Sequence, residues 1–129
     1  MKKKTLLLFV VICMSVAGCR HYHRGNINIS FSESDHYYSM KARFSRDRTR
    51  DVERYMDKML GDQSNMSFVN TRVDGTIGLD DHTNFYIKKD AGYLQIKLDK
   101  DQNSADSYEK VRDMCQGIKR LLTNEERGR

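Results

Sequence analysis

Residues 93–99, Tyr-Leu-Gln-Ile-Lys-Leu-Asp, alternate polar and apolar side chains without a break. Successive side chains of an extended strand point to opposite sides, so Leu94, Ile96 and Leu98 share one face, and a sheet built on this segment has one apolar side. Thr83 to Lys89 repeats the pattern with Phe85 and Ile87 inward, and Asp90 to Gly92 supplies the turn of a hairpin between the two segments. A second hairpin is expected nearer the start. Ile27, Ile29 and Phe31 alternate with Asn28 and Ser30, and after the polar stretch Ser32 to His36, Tyr38, Met40, Ala42 and Phe44 alternate with Ser39, Lys41 and Arg43. Between these regions, Met66 to Val73, Asp74-Gly75 and Thr76 to Leu79 fit a strand, a tight turn and a short strand, or one long bulged strand.

Two segments change period. Val52, Tyr55, Met56, Met59 and Leu60 fall on one stripe of a helix over residues 46–60, with Gly61 positioned as its stop. Tyr108, Val111, Cys115, Ile118 and Leu122, flanked by Met114 and Leu121, form the stripe of a second helix that starts at Asn103 or Ser104 as N-cap. Gly117 interrupts that helix at a cost of about 1 kcal/mol relative to alanine, which marks a close packing contact. Strands with one apolar face and helices with one apolar stripe must bury them against each other. The predicted fold is therefore an α+β two-layer sandwich: a mainly antiparallel sheet of about five to six strands with both helices on one face, in the order β-β-α-β-β-β-β-α. Its other face is left to solvent or to a partner.

Ahead of this domain the chain reads Met1, Lys2, Lys3, Lys4, then an apolar run from Leu6 to Met14 and small residues at Ser15, Ala17 and Gly18. That is the three-part layout of an export signal, and the run is about half the length that a membrane-spanning helix needs. Its end, Val16-Ala17-Gly18-Cys19, resembles the lipobox of bacterial lipoproteins. The resemblance implies removal of residues 1–18, a diacylglyceryl group on the Cys19 sulfur, and further acylation of the freed amine by a chain such as palmitate. Two or three acyl chains hold a domain on a membrane, where one is marginal. Arg20 stands where the family's inner-membrane retention signal carries aspartate, so the expected location is the outer membrane, facing the periplasm. Residues 19–26 form a lipidated start and short tether, 27–125 one domain and 126–129 a tail. Seven extended residues reach only roughly 20 Å, so the domain sits close to the headgroups.

The formal charge of +5 includes Lys2, Lys3 and Lys4; without them 20 basic residues face 18 acidic ones. The basic balance belongs largely to export, and no nucleic-acid partner is implied. Of the three cysteines, Cys13 leaves with the signal and Cys19 is acylated, so Cys115 has no partner within the chain. Its place in an apolar helical stripe makes it a buried thiol.

The outward strand positions include Asn28, Ser30, Tyr37, Ser39, Lys41, Arg43, Tyr86, Lys88, Tyr93, Gln95 and Lys97, of which four are cationic and none acidic. Cations interleaved with tyrosines suit an anionic envelope component, since Lys and Arg neutralise phosphate or carboxylate while Tyr rings stack and donate hydrogen bonds. The candidate binding residues are Tyr37, Lys41, Arg43, Tyr86, Lys88, Tyr93 and Lys97, against the alternative that they form solvated cross-strand pairs. Arg46, Arg50, Arg54 and Lys58 repeat every four residues on the first helix, but Asp47, Asp51, Glu53 and Asp57 share the wheel, so a salt-bridged solvent face is expected.

His21 and His23 flank Tyr22 beside the lipid and would share a metal ion if His36 came near; Asp99, Asp101 and Asn103 have the opening spacing of a calcium loop but lack its later ligands. No metal site or cofactor is assigned. Asp80, Asp81 and His82 fall where a turn expects them. With no G-x-S-x-G, H-E-x-x-H, C-x-x-C or phosphate-binding glycine loop, the expectation is a non-enzymatic lipoprotein that binds an anionic envelope component. A structural or assembly subunit contacting another envelope protein, and a metal-handling lipoprotein, are the alternatives.

Overall fold

The alternating segments form five strands: β1 Asn28–Glu33, β2 Tyr37–Arg43, β3 Val73–Gly78, β4 Asn84–Asp90 and β5 Tyr93–Asp99. Helix α1, Thr49–Leu60, follows β2 after a single 3-10 turn, and α2, Ala105–Arg127, closes the chain, running past residue 125. These coordinates come from a computed structural model that describes residues 27–127, with side chains through 123; the signal segment, Cys19 and the tether lie outside the described residues. Every neighbouring pair of strands is antiparallel, in the spatial order β1-β2-β5-β4-β3. The fold is the expected α+β arrangement of an open sheet with two helices. Residues 66–79 contribute the single strand β3, and Asp74-Gly75 lies within it.

β5 is central, paired to β2 on one side and β4 on the other. Its register aligns Leu94, Ile96 and Leu98 with Ala42, Met40 and Tyr38, and Ile96 with Ile87. These join Phe85, Val52, Met56 and Leu60 of α1, and Val111, Met114, Cys115, Ile118 and Leu122 of α2, in one core cluster. Each such side chain removed from water contributes about 1.5–3 kcal/mol, and that total confines both helices to this face.

Residues 61–72 carry no regular structure, and α1 accounts for their course. The Asp57 carboxylate accepts from the Ser67 hydroxyl and the Phe68 N–H, both at 2.6 Å, which tucks the Phe68 ring into the core. Four residues earlier on the helix, Glu53 accepts from the N–H of Asn70 at 3.3 Å, and Arg50 donates to the Asn70 side-chain oxygen at 3.1 Å. Asn70 has φ of +58°, a region Asn enters more readily than most residues. The expected salt-bridged face of α1 is thus corrected. Arg48, just before the helix, pairs with Asp51 at 3.2 Å, while Glu53 and Asp57 turn toward the connection that follows and accept from it, since it has no strand partner.

Glu53 also meets a charge in the sheet. β4 presents Phe85, Ile87 and Lys89 to the core side, and Lys89, 3 % exposed, donates to Glu53, 4 % exposed. A buried pair of this kind pays desolvation on both ions, and breaking it leaves one charge stranded.

The glycines divide by role. Gly92 has φ of +71°, and a Cβ there would stand 2.7 Å from the Phe44 carbonyl oxygen. This lets the β4–β5 turn dock on the start of α1, where the Gly92 N–H donates to the Thr49 hydroxyl at 2.8 Å. At Gly117 a Cβ would fall 1.7 Å from the Tyr55 hydroxyl, so the glycine admits α1 against α2. Gly61 stays right-handed at φ −56°, and its N–H simply continues the helix to the Asp57 carbonyl; the left-handed stop is not used. At the start of α2, Ser104 caps the Ser107 N–H at 3.0 Å, and Asn103 instead bridges the Asn84 backbone and the Asp99 carbonyl.

Two consequences are measurable. Lys89→Met alone strands the Glu53 carboxylate and should lower stability by about 3–5 kcal/mol in urea unfolding, whereas Lys89→Met with Glu53→Gln, which keeps an acceptor for Asn70, should recover most of that loss. Lys110 bridges Gln63 and Asp81, and its ammonium holds the Asp81 carboxyl at about 2, below its ordinary 3.8. A depressed carboxyl stabilises the fold above its unfolded value and ceases to do so as pH falls through its folded one. Unfolding midpoints should therefore drop more steeply between pH 3.8 and 2 in the wild type than in Asp81→Asn.

Candidate binding face

Among the described residues no helix lies on the outer side of the sheet, and all seven candidate residues stand in its register. One cross-strand row reads Ser30, Lys41, Gln95, Lys88 and Asp74; a second reads Ser32, Ser39, Lys97, Tyr86 and Thr76; a third reads Asn28, Arg43, Tyr93 and Asp90. Lys41 and Lys88 are exposed and two strands apart, about 10 Å at the usual strand spacing, with Lys97 diagonal to both. Neither Lys41 nor Lys88 has an ion-pair or hydrogen-bond partner among the described residues.

The aromatic residues organise the remaining cations. The Lys97 ammonium lies 4.4 Å from the centroid of the Tyr37 ring, and the Arg43 guanidinium 5.0 Å from that of Tyr93. Such contacts contribute about 0.5–1 kcal/mol at exposed sites and tether each cation to its ring. Tyr37 is itself 43 % exposed, among the largest apolar surfaces the domain shows. Tyr93 donates to the Gln95 side chain at 3.1 Å, and Tyr86 donates to Asp74 at 2.7 Å, a bond to a carboxylate that raises the Tyr86 pKa above its ordinary value.

Acids are present on this face, contrary to the reading from alternation. Asp74 lies on the β3 edge because 74–75 is strand and not turn, and Asp90 and Asp99 end β4 and β5 in the outward register. Each acid has its own partner: Asp74 takes Tyr86, Asp90 takes Arg72 at 3.1 Å, and Asp99 takes the N–H of Asp101. The face is thus cationic at its centre and acidic only at its rim, where the acids are already engaged. Strand parity alone would have placed Asp99 and Asp90 outward; Asp74 was hidden by the resemblance of Asp-Gly to a turn.

Other chemistry-bearing groups are committed to structure. Asp101 bonds His36 at 2.8 Å, Asp99 accepts from the Asp101 backbone, and Asn103 holds backbone groups, so the calcium spacing serves the β5–α2 junction. No group of three or more His, Cys, Asp or Glu is placed to hold a metal ion among the described residues; His21 and His23 lie outside them. No helix of the described residues is long and apolar enough to cross a membrane. Comparison with family models, curated proteins and solved structures found no match.

Cys115 is buried in the core, and burial pushes its thiol up to about 12. A reactive cysteine needs exposure and a stabilised thiolate, and this one has neither. Iodoacetamide at neutral pH should leave Cys115 unlabelled in the native protein, as read by peptide mass mapping, and label it fully in denaturant.

Proposed function

We propose that this chain is a lipid-anchored, non-enzymatic protein of the bacterial envelope that binds an anionic envelope component through the open face of its sheet. The observation that carries this reading is an outer face that, among the described residues, has no helix over it and a cationic centre without partners at Lys41 and Lys88, extended by Lys97 on Tyr37 and Arg43 on Tyr93. Two unpaired ammonium groups in one row, with aromatic rings beside them, suit repeated phosphate or carboxylate groups carried on sugars or lipids. The lipobox-like Val16-Ala17-Gly18-Cys19 supports the location, since acylation at Cys19 would hold the domain at the periplasmic side of the outer membrane, within reach of such groups.

A rigid platform suits the task. The strands need no reordering when a ligand arrives, because the core on the other side fixes the sheet, and the ordering cost is confined to the exposed side chains. The contacts would be chiefly electrostatic and therefore salt-sensitive.

Full-length protein should sediment with purified peptidoglycan or with vesicles containing anionic lipid at low salt, and the two arms identify which anion is preferred. Each lysine or arginine near an anionic surface contributes about 1 kcal/mol, so neutralising Lys41, Arg43, Lys88 and Lys97 together to glutamine should weaken binding by about three orders of magnitude. The circular dichroism spectrum should not change. Binding that survives these four substitutions, or that is indifferent to salt, would sink this reading.

A further inference from the structure

On the helix side of the same sheet, a cleft of about 530 Å³ opens between the start of α1, the 70–72 segment and the β4–β5 turn. Ligand pockets commonly fall in this size range. Its lining includes Arg46, Arg50, Glu53, Arg72 and the buried Lys89. The hydrogen-bond capacity of these groups is unbalanced. Glu53 carries one bond on each oxygen, from the Asn70 N–H and from Lys89, and Asp47 also lines the cleft, so the acceptors keep some capacity but fewer sites than the donors have N–H groups. Asp90, also at the cleft, is held by Arg72. The donors are far from spent: Lys89 uses one of its three N–H groups and Arg50 one of its five, and Arg46 has no partner among the described residues.

A methionine would fill the place of Lys89 beside Phe85 and Ile87 without the cost of desolvating an ion. The chain carries an ammonium there instead, and the neutralising carboxylate leaves two of its N–H groups without a protein acceptor. Arg50 is meanwhile held by the Asn70 side chain, so a guanidinium and a buried ammonium already line one concave space before any ligand enters. Multiple positioned N–H donors in a cleft are what a small oxyanion requires, and planar guanidinium groups match phosphate oxygens in pairs.

We propose that this cleft is a second binding site, taking the phosphate end of a small phosphorylated molecule between Arg46, Arg50 and Lys89. It is distinct from the outer face, which presents its cations on the opposite side of the sheet and to an extended surface. Asp47, which also lines the cleft, opposes a bulky polyanion and favours a compact ligand of lower charge.

The test is a calorimetric titration of full-length protein with inorganic pyrophosphate, and with acetate at matched ionic strength. Wild type should bind one pyrophosphate saturably and acetate not measurably. Arg50→Gln, at an exposed position, should weaken binding at least about tenfold, and so should the charge-neutral double variant Lys89→Met with Glu53→Gln, whose folding is checked by its unfolding midpoint. Lys58→Gln, at an exposed position of α1 outside the cleft lining, should bind as wild type does. Failure of wild type to saturate by about 10 mM, or full affinity in Arg50→Gln, overturns the proposal. Loss in Lys88→Gln equal to that in Arg50→Gln overturns it as well, because it assigns the anion to the outer face.

Discussion

Antiparallel pairing on both sides of β5 sets the parity of the whole sheet. Once Leu94, Ile96 and Leu98 face the helices, every residue of β2 and β4 is committed to one side or the other, and a slip of one position would drive Lys41, Lys97 and Gln95 into the core. The penalty for such a slip is the desolvation of unpaired charge, far larger than any pairing gained. The cationic outer face is thus a consequence of the same register that builds the core, and the strands beneath it are fixed by that core.

The second constraint is the connection from α1 to β3, which must travel from beside the sheet centre to its far edge without strand pairing of its own. Local turns satisfy part of its hydrogen bonding, and one row of the helix serves the rest, Asp57 accepting from the Ser67 hydroxyl and the Phe68 N–H and Glu53 from the Asn70 N–H. This requires a carboxylate at the bottom of the helix stripe, next to apolar Val52 and Met56, and a carboxylate so placed requires a buried cation. Lys89 answers it. The buried pair, the left-handed Asn70 and the cleft above them are therefore one structural unit, and the loop's need for acceptors explains why charge was admitted to this corner of the core.

Much of the fold was legible in the sequence because period and burial agree wherever the sheet is central. β2, β4 and β5 alternate cleanly and each lies between two neighbours, and the α2 stripe from Tyr108 to Leu122 shows its buried side directly. Legibility failed where side chains of distant elements do the work of backbone pairing. Asp74-Gly75 has the composition of a turn, yet the pairing of β3 with β4 holds it extended. Glu53 and Asp57 look like solvent acids on a helical wheel, because nothing local shows that an irregular segment ten or more residues away will draw on them. One sign was present: the parity that turns Phe85 and Ile87 inward also turns Lys89 inward, and an inward lysine demands an acid. Gly117 was readable as a close contact but not its partner, since Tyr55 lies on the other helix.

The two surfaces differ in how they hold their cations, and that difference separates what each can recognise. On the outer face the ammonium groups stand exposed on a flat sheet, so their attraction is screened within roughly 10 Å at ordinary salt and acts best on many anionic groups at once. In the cleft, Lys89 is withdrawn from water and fixed by Glu53, so fewer solvent contacts are lost when an oxyanion arrives and its geometry matters more than its total charge. A sheet of this size with both helices on one side leaves room for both modes. The strand parity that exposes Lys88 buries Lys89, its neighbour in sequence, on the other side of the same strand.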